Sequence, residues 1–319
     1  MSVYAAFKSA IKKFQIINEL ISDREKLRNE CNKLITERQK LRREYGFVPP
    51  GHFYSPIPSL DEIKQDESRV FGTIPRVIHG LELHESEQLK LLEDFVQFYK
   101  EMPFQSHKTE ELRYYFENSA YSYSDAIFLY CMLRHLKPKR IIEIGSGFSS
   151  CVTLDTNELL FNDSIETTFI EPFPELLMSL MKEKDKNKAR VISKRLQDVP
   201  LSEFETLRAN DILFIDSTHV SKINSDVNRI FFDILPSLSP GVHIHIHDIF
   251  FPFEYPKEWI YEGRAWNEMY MLRTFLQYNT AFRVVLMNTF MEHFHEPFFR
   301  EKMPLCLKNT GGSIWIRKE

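Results

Sequence analysis

Three short stretches carry side chains whose types and spacing could do chemistry. Residues 140–150 read Arg-Ile-Ile-Glu-Ile-Gly-Ser-Gly-Phe-Ser-Ser: an apolar run, Glu143, a turn on Gly145 and Gly147, and a helix start at Ser149 and Ser150. Glycine permits positive φ and close backbone approach, so a strand end and a helix N-terminus can crowd a small molecule there. The second stretch, Phe214-Ile-Asp216-Ser-Thr-His219, ends an apolar run in a carboxylate. The third, His243-Ile-His245-Ile-His247-Asp248, ends another. An acid closing an apolar strand needs a partner.

The elements that must position these groups alternate from about Tyr121. Strands are expected at 140–144, 166–170, 190–193, 211–215 and 242–246, with helices at 125–136, 149–160, 174–184, 226–235 and 264–278. Two further strands, 282–288 and 313–317, follow with no helix expected between them. This is an α/β pattern: a doubly wound, mostly parallel seven-stranded sheet with an antiparallel C-terminal pair. Ligands bind beyond the carboxyl ends of such strands, which makes Asp216 and Asp248 neighbours on one rim. Two adjoining carboxylates repel unless a proton or cation joins them, and a divalent metal with oxygen ligands is the economical answer. His243, His245 and His247 share one strand face by period two. The first two are expected to pack under a helix as neutral, bonded imidazoles. His247, beside Asp248, stands closer to function.

The third glycine of a dinucleotide fingerprint is Ser150 here. Glu143-Ile-Gly145-Ser-Gly147, Glu171 ending the second strand, Gln197-Asp198 after the third and the terminal strand pair together resemble the class I S-adenosylmethionine-dependent methyltransferases, over roughly residues 120–319. The resemblance implies a Rossmann-like fold with S-adenosyl-L-methionine as cofactor. Glu143, Gly145, Ser146, Gly147 and Ser149 would border its amino-acid part, Glu171 its ribose, and Gln197 or Asp198 its adenine. A carboxylate suits two vicinal hydroxyl donors. Within the class, the chain resembles metal-dependent O-methyltransferases acting on sugars and related small molecules. That implies Asp216 and Asp248 as ligands of Mg or Mn; His247 stands where the group has a second acid, a departure from its pattern, and could ligate the metal in that acid's place or just hydrogen-bond a ligand. It also implies His219, three residues beyond Asp216, as general base, and a sugar or other polyol as acceptor. Substrate contacts are expected from Tyr255 in the aromatic 250–259 segment and from Trp266, Asn267 and Glu268. His52 and Tyr54 could belong to a lid.

The remaining sequence sets bounds. The 319 residues are 43% hydrophobic and 27% charged, enough for a sizeable core. Net charge is −4, but residues 1–45 hold 11 Lys+Arg against 6 Asp+Glu, leaving 30 against 39 beyond them. Such a balance gives no global drive toward nucleic acid. Cys31, Cys131, Cys151 and Cys306 are widely spaced, which speaks against zinc ribbons and disulfides and fits a reducing cytoplasm. No transmembrane run and no signal peptide are expected.

Three parts are expected: an N-terminal helix over 1–45, a Pro-rich connector and helical cap over 46–119, and the cofactor domain over 120–319. Leu20, Leu27, Leu34 and Leu41 recur every seven residues, with Ile17, Arg24, Cys31 and Arg38 at the other seam position. Residues 5–44 could thus form a homo-oligomeric coiled coil, pack on their own domain, or lay Phe7, Ile11, Phe14 and Ile17 on a membrane surface. Beside the metal-dependent methyltransferase stand a metal-independent one and a non-catalytic cofactor-binding scaffold assembled through the coiled coil. A nicotinamide oxidoreductase is more distant, for want of the third glycine.

Overall fold

The computed structural model describes residues 3–319, and side chains at 7, 12–14, 16–41 and 46–319. Ile11, one of the residues named for a membrane face, lies outside the described side chains, as do several others of the 5–44 segment. The chain gathers into two compact units, one running to Val70 and the other from Phe71 to Glu319. The first contains a 43-residue helix, Val3–Tyr45, and the short helices Leu60–Gln65 and Glu67–Val70. Ser59 caps the second of these by accepting a hydrogen bond from Glu62 N–H. Between the first two helices, His52 and Phe53 stack at 4.4 Å and Phe53 and Tyr54 lie 4.2 Å apart. His52 Nδ1 accepts from the Tyr54 N–H.

The second unit is built on seven strands: β1 (Arg140–Ile144), β2 (Glu166–Ile170), β3 (Arg190–Ile192), β4 (Ile212–Ile215), β5 (His243–His247), β6 (Phe282–Met287) and β7 (Ser313–Lys318). Their order is β3-β2-β1-β4-β5-β7-β6, parallel through the first five, with β7 antiparallel to both β5 and β6. β4 and β5 are buried throughout, as a sheet covered on both faces requires. The helix Tyr123–Leu136 is buried along most of its length, and Leu154, Phe169, Leu177 and Met181 form a core cluster with Ala189.

Several expected elements differ: the helix expected over 174–184 is only Glu175–Leu180, and that over 226–235 turns π-helical from Ile230 to Ile234. Helices Asn288–Phe294 and Glu296–Lys302 do lie between β6 and β7. They hide in sequence because their buried apolar residues, Phe290, Met291 and Phe299, are few and the helices carry prolines and histidines. The long helix expected over 264–278 shrinks to Glu268–Leu276. Residues 264–267 are drawn instead into the loop that holds His219, described below.

Residues 71–119 are built into the second unit. The helix Glu85–Lys100 buries Leu92 and Phe95, the latter 6.3 Å from Phe128. Its Gln88 carboxamide oxygen accepts from Met287 N–H at the end of β6. Deeper still, Arg113 is 1% exposed and donates to Asp155 at 2.6 Å and Asp185 at 2.7 Å. The Asp155 carboxylate also accepts the backbone N–H groups of Arg113 and Tyr114. One buried ion network therefore fastens the segment before Tyr121 to the helix Phe148–Phe161.

Candidate active site

The glycine turn meets β4 with no room to spare. Gly145 has φ 76°, and a Cβ there would lie 1.6 Å from the Asp216 carbonyl oxygen. No other residue fits without moving the backbone. Gly147, by contrast, is extended at φ −175°, with Leu176 as the nearest neighbour of a Cβ at 3.6 Å. Its absent side chain leaves room rather than relieving strain.

Behind the turn, Glu143 is fully buried. Ser149 Oγ and Ser150 Oγ donate to its Oε1 at 2.6 and 2.8 Å, while Oε2 has no protein partner. Burial pushes this carboxyl up to about 8, against the pull of the two serines. Ser150 also accepts from Gly147 N–H at 3.1 Å. The residue that replaces a third glycine thus ties the turn to its acid, a role that composition alone did not reveal. Ser149, expected beside the cofactor, spends its hydroxyl on Glu143.

A cavity of about 380 Å³ opens at the carboxyl ends of β1, β2 and β4, within the range of small-molecule sites. Gly145, Glu171, Gln197 and Asp216 line it, with Ile170, Phe173 and Leu196 as apolar wall. Glu171 accepts from Ser146 N–H at 3.3 Å and from Phe173 N–H at 2.8 Å. Those bonds fix its head and leave lone pairs for further donors. The Ser146 hydroxyl is buried without a partner. Gln197 donates to the Asn224 carbonyl at 2.8 Å. Asp198 departs from expectation: it closes a short 3-10 turn, points to solvent and pairs with Arg195 at 2.9 Å, outside the cavity lining. Phe173, 76% exposed beside Glu171, is a lining aromatic that the sequence did not single out.

Asp216 also belongs to a second cluster. Among the described residues, ligand atoms of Asp216, His219 and Asp248 all lie within 4.8 Å of one another. His219 Nε2 is 3.3 Å from Asp216 and 3.4 Å from Asp248; its Nδ1 is 2.9 Å from Glu268. His219 and Asp248 both adopt left-handed backbone, φ 59° and 57°, which folds the chain back at each strand end. The loop before Glu268 fixes this fold-back, since Asn267 and Glu268 N–H groups both donate to the His219 carbonyl. Trp266 lies over the imidazole at 4.4 Å.

Electrostatics follow from this crowding. Burial alone would lower the His219 pKa, but Asp216 and Glu268 outweigh it and push it up to about 10. His247 is raised as well, because Asp216, Asp248 and Asp125 outweigh its burial. Burial would raise Asp216, yet His247 and His219 hold it below its ordinary value. Asp248 is raised, chiefly by burial.

A stability experiment reports the His219 contacts directly. Its folded pKa, about 10, lies above the ordinary 6.5, so its bound proton stabilises the fold fully below pH 6.5 and loses that effect as pH rises to 10. With a chelator present, wild type should lose on the order of a few kcal/mol across that window. His219→Gln should lack that component in a pH series of thermal melts. Parallel curves would show the contacts to be absent.

Three expectations need correcting. His247 is not the third member of the cluster; His219 is. His247 belongs to the β5 face, where its ring lies 5.2 Å from Tyr121, and its Nε2 is 3.6 Å from Asp248. His247 is near enough for its charge to act on Asp216, but its ring nitrogens fall outside the cluster of converging ligand atoms. His243 and His245 are neutral, the first pushed down to about 4 and the second well below its ordinary value, mainly by burial. Yet His245 is held by stacking on Phe214 at 4.1 Å, and neither ring nitrogen has a protein partner. The aromatic side of the 250–259 segment goes partly into the core: Phe251, Phe253 and Tyr255 are buried, and the Tyr255 hydroxyl accepts from Met269 N–H. Asn267 is occupied by Ser221, accepting from its N–H at 2.6 Å and donating to its carbonyl at 3.2 Å. Glu268 is buried against His219. Trp266 stays half-buried, beside Trp259 and Arg264. His52 and Tyr54 belong to the other compact unit.

Comparison with known proteins finds a methyltransferase domain within this unit. A family described as "Methyltransferase domain" matches residues 142–249, from β1 to just beyond Asp248. An uncharacterised protein of Archaeoglobus fulgidus is 38% identical over 176 residues, 53% of this chain and 78% of that one. Among solved structures, the S-adenosylhomocysteine-bound methyltransferase PaMTH1 of Podospora anserina has a TM-score of 0.40 at 15% identity, covering 86% of this chain and 99% of its own. The O-methyltransferase TomG of Streptomyces achromogenes, in complex with S-adenosylmethionine, has a TM-score of 0.42 at 13% identity, covering 80% and 96%. Among the described residues, no helix is long and apolar enough to cross a membrane. With its strand order, its glycine turn and the matched domain between them, the chain belongs to the class I S-adenosylmethionine-dependent methyltransferases.

Proposed function

We propose that the enzyme methylates a hydroxyl of a small molecule, a sugar or related polyol, with a divalent cation at Asp216 and Asp248. The observation that carries this reading is the double membership of Asp216. It lines the cofactor-sized cavity beside Gly145 and also stands in the cluster with His219 and Asp248. An acceptor placed at the cluster is therefore next to the methyl donor.

The residues suit both groups. The cradle over Gly145, the Glu171 head and the unpartnered Glu143 Oε2 and Ser146 hydroxyl favour a polar ligand with an amino-acid end and a ribose. The two carboxylates converging on one rim are hard oxygen donors that fit Mg or Mn, and the His219 imidazole beside them is left free as the base. When bound there, a dication polarises the acceptor oxygen and lowers its pKa.

The rest is done by the chain. Glu268 holds His219 through Nδ1 and turns Nε2 toward Asp216 and Asp248. An acceptor hydroxyl at that point gives its proton to Nε2, once the charge between the carboxylates no longer comes from the imidazolium itself. S-adenosylmethionine held beside Gly145 and Glu171 would supply the methyl to that oxygen, its carbon–sulfur bond breaking as the carbon–oxygen bond forms and S-adenosylhomocysteine leaving. Positioning of the two reactants contributes several kcal/mol. Trp266, half-buried over His219, offers an aromatic face for a sugar ring.

The test is calorimetry with S-adenosylmethionine, followed by methylation assays on a panel of sugars and phenols with Mg, Mn or EDTA. Binding of the cofactor with activity that EDTA abolishes supports the proposal. Activity that survives EDTA sinks the metal and favours a metal-independent methyltransferase, with an acid of the cluster rather than the protonated His219 as base. Cofactor binding with no turnover on any acceptor, together with loss of function on deleting 1–44, would favour the scaffold instead.

A further inference from the structure

The leucine seam on the helix Val3–Tyr45 is flanked by two sorted columns of charge. With Leu20, Leu27, Leu34 and Leu41 at position d, position g holds Ile16, Asp23, Glu30 and Glu37. Position e holds Ile21, Arg28 and Ile35, and Arg42 follows in sequence. Acids thus occupy one flank and bases or isoleucines the other. All four leucines are 47–66% exposed, and Ile16, Ile17, Ile21 and Ile35 are exposed too. So many apolar side chains in one row on a helix mark an interaction surface.

We infer that this surface pairs with a second copy of the chain, as a parallel, in-register, two-stranded coiled coil over residues 16–41. Charge complementarity sets the direction. In a parallel pair each g residue meets the partner's e residue five positions on. Ile16 then meets the partner's Ile21, Asp23 the partner's Arg28, and Glu30 the partner's Ile35. No such contact sets like charges against each other. An antiparallel pair would set g against g, acid on acid, and e against e. Asp23 already sits 3.4 Å from Lys26 of its own helix, an exposed contact that leaves its other oxygen free to accept from the partner's Arg28.

The a layers set the number of strands. They run Ile17, Arg24, Cys31, Arg38. A buried cation at a costs stability but specifies register and oligomer state. Two strands let the arginine stems cross the seam and carry their guanidinium groups to water, which a three-stranded core does not. The same register brings Cys31 against the partner's Cys31.

The full chain is the sample. Sedimentation equilibrium should give the mass of two 37.9 kDa chains, and Leu27→Asp/Leu34→Asp should give one, with cofactor binding unchanged. Direction is read by cross-linking Ile17→Cys in a Cys31→Ser background with diamide. Parallel helices place the new thiols together and yield a disulfide dimer. Antiparallel ones hold them roughly 35 Å apart and yield none. A wild-type monomer, a trimer, or a dimer without the Ile17→Cys disulfide would each overturn the inference. So would a monomer that sediments only with anionic phosphatidylserine vesicles. None of these outcomes bears on methyl transfer, because the seam and the catalytic unit are read by separate measurements.

Discussion

Asp248→Asn should still bind S-adenosylmethionine but lose about a hundred- to a thousand-fold in kcat. Asp248 stands outside the cofactor cavity lining, so the donor's affinity has no reason to change. Its carboxylate supplies half of the negative charge converging with His219 Nε2, at 3.4 Å. Removing that charge while keeping the shape takes away the second anionic ligand of a hard cation and lets the imidazole drift from its aim. The rate loss corresponds to about 3–4 kcal/mol of transition-state stabilisation, the several kcal/mol a Lewis-acid site contributes. Unaltered kcat at every metal concentration would remove Asp248 from the mechanism. Asp216→Asn is the less selective variant, since Asp216 lines the cavity beside Gly145 as well. His247→Asn removes a neighbouring charge but none of the three converging ligand atoms, so it should cost less activity than Asp248→Asn.

Arg113→Ala should destabilise the second unit by about 3–5 kcal/mol, lowering its melting temperature on the order of 10 °C. The residue lies far from the chemistry in sequence and carries none of it. Its guanidinium, 1% exposed, neutralises Asp155 and Asp185 together. Removing it strands two carboxylates in the interior, and an uncompensated buried charge costs more than the pair itself contributes. Arg113→Lys should recover part of the loss, because one ammonium cannot span both acids as the fork does. Asp155 cannot be swapped for an apolar residue as cheaply as a simple ion pair would allow. It also satisfies the backbone N–H groups of Arg113 and Tyr114, which would then be left bare. A melting temperature for Arg113→Ala within a degree or two of wild type would show that the network is not what fastens this segment.

Much of the fold is legible in the sequence because its signals are local. An apolar run such as Ile212–Ile215 between polar turns can only be an interior strand, and a strand followed by Gly-Ser-Gly announces a turn under a helix. Residues 288–308 were unreadable for the opposite reason. Their helices are short, and they are stabilised by burying Phe290, Met291 and Phe299 rather than by any period in the chain.

The site divides in the same way. That Asp216 and Asp248 share a rim follows from where parallel strands end, and that Glu171 stands by the glycine turn follows from strand order. The identity of the third converging group does not. Sequence adjacency nominated His247, but strand alternation commits that ring to the sheet face. A left-handed turn at His219, held by two N–H groups from residues distant in sequence, brings the other imidazole in. Likewise Glu268 reads as one polar residue among several at a helix start. Only the tertiary structure buries it against His219 Nδ1. Residue types and strand ends are properties of the chain. The direction in which a side chain leaves a strand end depends on backbone dihedrals that distant segments impose, and those exist only once the protein has folded.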